Sequence, residues 1–119
     1  MRRQFQLLAA AALAAIAALP AAARECTAPG PAPAIPDGTT ANADQMKSAR
    51  DGVQSYVNVL QDYQDCLESN IKHAPKETKQ EELQRLRDQG NAAIDQAEAL
   101  KNNYIAQVKL FKARQPPTK

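Results

Sequence analysis

The chain has 119 residues, of which 24% are charged, and its formal net charge is +2. It contains no tryptophan, three tyrosines and two phenylalanines. Nucleic-acid binding usually needs a strongly basic surface, often with aromatic side chains on which bases stack, so this composition argues against it. The length is enough for one small domain with a thin interior.

Residues 1–23 have the three-part layout of a secretory signal peptide. A short basic start, Met1 to Gln4, precedes an apolar run from Phe5 to Ala18. Pro20 then precedes three alanines, which place small residues at the −3 and −1 positions of a cut after residue 23. A retained membrane anchor is the alternative, but it needs about 20 uninterrupted apolar residues. We predict export, with removal of residues 1–23.

Export changes the charge balance and the expected state of the two cysteines. Without Arg2 and Arg3, thirteen basic residues face thirteen acidic ones. Cys26 follows Arg24-Glu25, which is not the context of a lipidated cysteine. In an oxidising compartment the pair Cys26 and Cys66 favours a disulfide, with free thiols or cross-links between chains as alternatives. A soluble exported protein is therefore expected.

Residues 24–41 are predicted to form a Pro-rich extended arm. Four prolines between residues 29 and 36 favour polyproline II over helix. Residues 26–42 can span about 50 Å at 3.1 Å per residue, and residues 42–66 span about 36 Å as a helix. The arm can therefore run back along the first helix, where the disulfide would clamp it. Closing this loop stabilises the fold by about 4 kcal/mol in the chain-entropy model.

The first helix is predicted over about residues 42–72. The turn signal Asp37-Gly38 is followed by Thr39, Thr40 and Asn42, which are typical residues of a helix start. Apolar side chains then recur at alternating steps of three and four. This stripe consists of Met46, Ala49, Val53, Tyr56, Leu60, Tyr63 and Leu67.

The second helix is predicted over about residues 75–114. Pro75 suits a first helical position, and Thr78 with Glu81 can form a capping box if the helix starts three residues later. Its stripe consists of Leu83, Leu86, Gly90, Ala93, Ala97, Leu100 and Tyr104. We expect Gly90 to face residues 56–60 and make room for a tyrosine ring, or to mark a kink. Two prolines end the helix and leave residues 115–119 as a disordered tail.

The short connection predicts that the two helices pack antiparallel, as in a coiled coil. The predicted fold is therefore all-α: a two-helix hairpin with the Pro-rich arm packed on the first helix and clamped by a disulfide. Two such hairpins can pair into a four-helix bundle.

If the turn between the helices is centred near residue 74, Asn42 lies opposite about residue 106. The end of the second helix then extends beyond the start of the first helix. Three covers are open: the turn at residues 37–40, a second copy of the chain, or another partner. No acidic residue follows Glu98, so the other partner can be an anionic lipid or an acidic protein surface. The helix dipole alone also accounts for basic residues at a helix C-terminus. The candidate interaction surface consists of Tyr104, Ile105, Val108, Phe111, Lys109, Lys112 and Arg114.

The search for catalytic chemistry gives mainly exclusions. His73 is the one histidine and falls in the predicted interhelical turn. Asp62, Asp65 and Glu68 are most simply a solvated helix face. The sequence has no glycine-rich phosphate loop, zinc-ligand spacing or nucleophile elbow. We expect no enzymatic activity, no cofactor and no metal site.

Residues 26–66 resemble a pattern found in small exported helical proteins of Gram-negative bacteria that lack an assigned function. The resemblance rests on the two cysteines, the spaced prolines, the Pro-Asp-Gly turn, Met46 and the two tyrosines between them. It implies a periplasmic location and brings no catalytic residue. The expected function is that of a structural or protein-interaction module of the cell envelope, which binds itself or another envelope protein. The alternative is a module that binds the membrane surface.

Overall fold

The computed structural model describes residues 24–115, and all regular secondary structure in that range is helical. Helix α1 spans Ala43–Lys72 and helix α2 spans Gln80–Ala113, and the two helices pack together. No strand occurs between residues 24 and 115. The predicted signal peptide, and the part of the predicted tail from residue 116 onward, lie outside the described residues.

Helix α1 begins with a reciprocal cap. The side chain of Asn42 accepts from the Gln45 amide at 2.8 Å, and the Gln45 side chain accepts from the Asn42 amide at 2.8 Å. Asp44 in the first turn and Lys72 in the last turn complement the helix dipole. The polar sequence before the stripe therefore fixes the start of α1 locally.

Helix α2 begins at Gln80, five residues after the predicted start at Pro75. The Thr78 amide donates to the Pro75 carbonyl at 3.0 Å, so residues 75–78 form a turn instead of the first helical turn. Ala74 precedes this proline and is thereby biased away from helical backbone angles. The N-cap is Lys79, with no side-chain cap bond, and the capping box expected of Thr78 does not form.

The core is a narrow seam between the two helices. Five residues of the predicted α1 stripe are buried, and Tyr56 and Tyr63 are half-buried. Leu60 and Leu67 are each 2% exposed, and burial of such a side chain contributes about 1.5–3 kcal/mol. Helix α2 buries fewer residues: Gly90, Ala93 and Leu100.

The disulfide between Cys26 and Cys66 is confirmed, with a Cα–Cα distance of 5.7 Å. Asn70, one turn further along α1, binds the backbone two residues before Cys26. Its Oδ1 accepts from the Arg24 amide at 3.0 Å, and its Nδ2 donates to the Arg24 carbonyl at 2.6 Å. The segment before α1 is therefore fixed, covalently and by hydrogen bonds, to the last turns of that helix.

The segment between the disulfide and α1 contains no helix, and it contacts α1 at further points. The Tyr56 hydroxyl donates to the Gly30 carbonyl at 2.7 Å. A Cβ placed on Gly52 would lie 3.7 Å from Cβ of Pro33, so the proline passes close to the helix at that level. In this segment residues 26, 30 and 33 thus lie beside residues 66, 56 and 52 of α1.

The contacts between the helices set a register that differs from the predicted one. Gln96 of α2 donates to the Tyr56 hydroxyl at 2.9 Å, and a Cβ on Gly90 would lie 3.9 Å from Cγ of Gln64. Gly90 therefore lies beside Gln64 and not beside residues 56–60, and α2 continues through it without interruption. The connection at residues 73–79 is longer than expected, and it shifts α2 by several residues along α1.

We predict that replacement of both Cys26 and Cys66 by serine lowers the free energy of unfolding by about 4 kcal/mol, because the open chain gains loop entropy in the unfolded state. Urea unfolding followed by circular dichroism measures the change. Wild-type protein unfolded in the presence of a reductant is the matched control and should lose a similar amount. An unchanged unfolding midpoint would show that the bridge has no stabilising effect.

Candidate functional site

The candidate surface at the end of α2 is only partly exposed. Tyr104, Val108 and Phe111 are half-buried, whereas Lys109 and Lys112 are exposed. The last turns of α2 lie beside residues 37–41, which precede α1, so the turn at residues 37–40 covers part of this end, as in the first of the three arrangements considered.

The turn at residues 37–40 lies directly against α2. Gly38 is buried, and its amide donates to Oε1 of Gln107 at 2.8 Å. A Cβ on Gly38 would lie 2.9 Å from the Gln107 carbonyl carbon and 3.0 Å from the Phe111 amide nitrogen. Such distances to backbone atoms leave no room for a side chain. Glycine is therefore required here by the close approach of two backbones.

Arg114 closes the same contact from the end of α2. Its Nε donates to the Gly38 carbonyl at 2.8 Å, and its terminal nitrogen donates to the Ala41 carbonyl. The guanidinium also lies 5.2 Å from the centre of the Phe111 ring, a cation–π distance. Among the candidate surface residues, Arg114 is therefore hydrogen-bonded to the chain's own turn, although it is exposed.

The turn has internal hydrogen bonds that fix its shape. Oδ1 of Asp37 accepts from the Thr39 hydroxyl at 2.7 Å and from the Thr39 amide at 2.8 Å. These bonds lower the pKa of Asp37, the hydroxyl bond most and the amide bond next, and the charge of Arg114 lowers it further. The backbone closes with the Ala41 amide donating to the Asp37 carbonyl at 2.9 Å.

A flank of α2 remains exposed beside this contact. Ile105 is 49% exposed and Ile94 is 37% exposed, although both carry large apolar side chains. They lie eleven residues apart, which is close to three helical turns, and lysines occur at the same spacing along that side. We call this surface the α2 flank. It consists of Ile94, Lys101, Ile105, Lys109 and Lys112.

A second feature, which the sequence did not indicate, is a groove at the connection between the helices. We call it the loop-end groove. Its volume is about 980 Å³, and it is bounded by the chain at Arg24 and Cys26, by the last turns of α1 and by the first turns of α2. Apolar and polar side chains both line it. They include Tyr63, Leu67, Asn70, His73, Leu86 and Gln89.

Charged and titratable groups surround this groove. Glu82 and Arg85 form an ion pair three residues apart on α2, which lowers the pKa of Glu82 and raises that of Arg85. Nδ1 of His73 lies 2.9 Å from the Ser69 carbonyl, so this histidine is bonded to the end of α1 as a helix-terminal residue. The groove was not predictable because its walls come together only in the observed register.

The carboxylates singled out from the sequence, Asp62, Asp65 and Glu68, are exposed on α1. Between residues 24 and 115, no three side chains of the metal-binding types lie close enough to hold an ion. Neither described helix is long and apolar enough to cross a membrane.

The fold is that of a disulfide-bonded, all-helical protein. No protein-family model matches the sequence, and no curated protein or solved structure is significantly similar to the chain.

We predict opposite effects for alanine at two buried glycines. Gly38→Ala should lower stability by about 1–3 kcal/mol, because the methyl group meets the α2 backbone. Gly90→Ala is the matched control and should raise stability by up to about 1 kcal/mol, because alanine favours helix and has room beside Gln64. Thermal unfolding of both variants measures the difference. Equal melting temperatures would contradict the close contact at Gly38.

Proposed function

We propose that this chain is an exported periplasmic protein that forms an antiparallel helical hairpin, with its Pro-rich segment packed as an arm on α1. The disulfide supports export, because such bonds form and persist in oxidising compartments. The pairing of Tyr56 with Gln96 and of Gln64 with Gly90 supports the antiparallel arrangement.

In this proposal the protein acts without enzymatic activity, as a structural or protein-interaction module of the cell envelope. The observation that carries the proposal is the α2 flank, where Ile94 and Ile105 are exposed beside lysines. Exposed apolar surface rimmed by polar residues marks interaction sites, and the two isoleucines supply such surface on one side of α2. Of the interaction surface predicted from the sequence, the α2 flank retains Ile105, Lys109 and Lys112.

A second copy of the chain is one partner that fits this flank, and another envelope protein is the other. Helix α1 exposes Asp62 and Asp65, whose charges complement the lysines of the α2 flank. Pairing of two hairpins through these surfaces would give the four-helix bundle expected from the sequence.

The test is photo-crosslinking in the native cell with a photoreactive residue at position 105, followed by mass spectrometry. We expect adducts with one envelope protein or with a second copy. The same residue at position 58, an exposed asparagine of α1, is the control and should give none of these adducts. Identical adducts at both positions, or none at position 105, would contradict the proposed surface.

Binding to anionic membranes is the second candidate function. Lys101, Lys109 and Lys112 follow the last acidic residue of the chain, and Ile105 is exposed among them. A basic surface with an apolar side chain suits the interface of an anionic bilayer.

Sedimentation with phosphatidylglycerol vesicles tests this candidate. Binding should occur at low salt and disappear at high salt, since screening removes the attraction between exposed charges. Phosphatidylcholine vesicles serve as the uncharged control. If the protein stays in the supernatant with phosphatidylglycerol vesicles at low salt, the membrane-binding function is wrong.

A further inference from the structure

One tyrosine–glutamine hydrogen bond joins the two helices, and the same two residue types recur one heptad away, without such a bond. Tyr56 of α1 accepts a hydrogen bond from Gln96 of α2. Tyr63 lies seven residues later in α1, and Gln89 lies seven residues earlier in α2. In the contacts between the helices, residue numbers rise along α1 as they fall along α2. Tyr63 and Gln89 are therefore displaced from Tyr56 and Gln96 by one heptad in the same direction in space.

The first pair binds a proline-flanked carbonyl of the chain's own arm. The Tyr56 hydroxyl donates to the carbonyl of Gly30 at 2.7 Å, and Gly30 lies between Pro29 and Pro31. Carbonyl groups of polyproline II make no internal hydrogen bonds and need outside donors. The structure therefore contains one example of a tyrosine, supported by a glutamine, that binds a Pro-Gly-Pro segment.

The second pair lines the loop-end groove. Here the arm is bonded to α1 through Cys26 and Arg24, and it makes no hydrogen bond to the early turns of α2. Tyr63 is half-buried, and among residues 24–115 its hydroxyl makes neither of the two kinds of bond that the Tyr56 hydroxyl makes to the arm and to α2. Leu67 and Leu86 add apolar surface to the same groove. The two residue types of the first pair thus line a cavity that the arm borders at Arg24 and Cys26 but does not fill.

We propose that the loop-end groove binds an extended, proline-containing peptide segment of a partner protein. The Tyr63 hydroxyl donates to a peptide carbonyl, and Gln89 supports the tyrosine as Gln96 supports Tyr56. Residues 63–72 of α1 span about 14 Å, which matches about four residues of polyproline II. Aromatic-lined grooves are a recurrent means of binding such segments. This site is separate from the α2 flank and does not depend on it.

A free peptide is not expected to displace the chain's own arm from Tyr56. The disulfide holds the arm beside Tyr56 at a high effective concentration, so a free peptide cannot readily displace it. A peptide that binds should therefore enter the loop-end groove.

The experiment is an NMR titration of the isotope-labelled, oxidised protein, purified after export, with the capped peptide Ala-Pro-Gly-Pro-Ala-Pro. We expect saturable shifts of the amide signals of Asn70, Leu86 and Gln89. The same peptide with alanine in place of each proline should give far weaker shifts. Tyr63→Phe should weaken binding by about 2- to 12-fold, the value of one hydrogen bond.

Tyr104→Phe is the matched control, since it removes a hydroxyl from a half-buried tyrosine that does not line the groove. It should leave the affinity for the peptide unchanged. Three results would overturn the proposal: no shifts in the groove, equal binding of the alanine peptide, or equal affinity of the wild-type and Tyr63→Phe proteins. Shifts confined to residues 49–56 would also overturn it, because the peptide would then have replaced the arm.

Discussion

The covalent bond between Cys26 and Cys66 is the constraint on which the arrangement of this chain depends. Two helices alone bury few side chains here, and α2 contributes only three buried residues. The bond fixes residue 26 beside the last turns of α1. The segment from there to residue 42 then leads to the first turn of α1, where it contacts the last turns of α2. There Ala41 is 3% exposed and Gly38 is buried. Residues 24–42 thus add a third surface to a core that is too thin without them.

The same constraint links the fold to the proposed interactions. The docked turn engages Arg114 and Phe111, two residues of the surface expected to bind a partner. What remains for a partner is the α2 flank on one side and the loop-end groove at the other end. In the proposed hairpin the arm decides which parts of the helices stay accessible, and this is a structural role that a two-helix protein without an arm lacks.

The features predictable from the sequence are those with local causes. The start of α1 follows from the cap at Asn42, and its buried stripe follows from helical periodicity. The disulfide follows from the number of cysteines and the predicted oxidising compartment. The start of α2 was not predictable, because Pro75 suits both a first helical position and the turn that it forms. That difference shifts the register, and the turn at residues 37–40 covers the end of α2. The loop-end groove and the engagement of Arg114 depend on this register, so no local pattern indicates them.

The segment before α1 is docked at both of its ends as part of the core. Residue-resolved amide hydrogen exchange of the oxidised protein measures this docking. The Gly38 amide donates to Gln107, 69 residues further along the chain. If the segment is docked, this amide exchanges as slowly as the amides in the middle of α1, such as that of Leu60. Exchange of Gly38 at the rate of an unstructured peptide, with α1 still protected, would show that the segment is not part of the core.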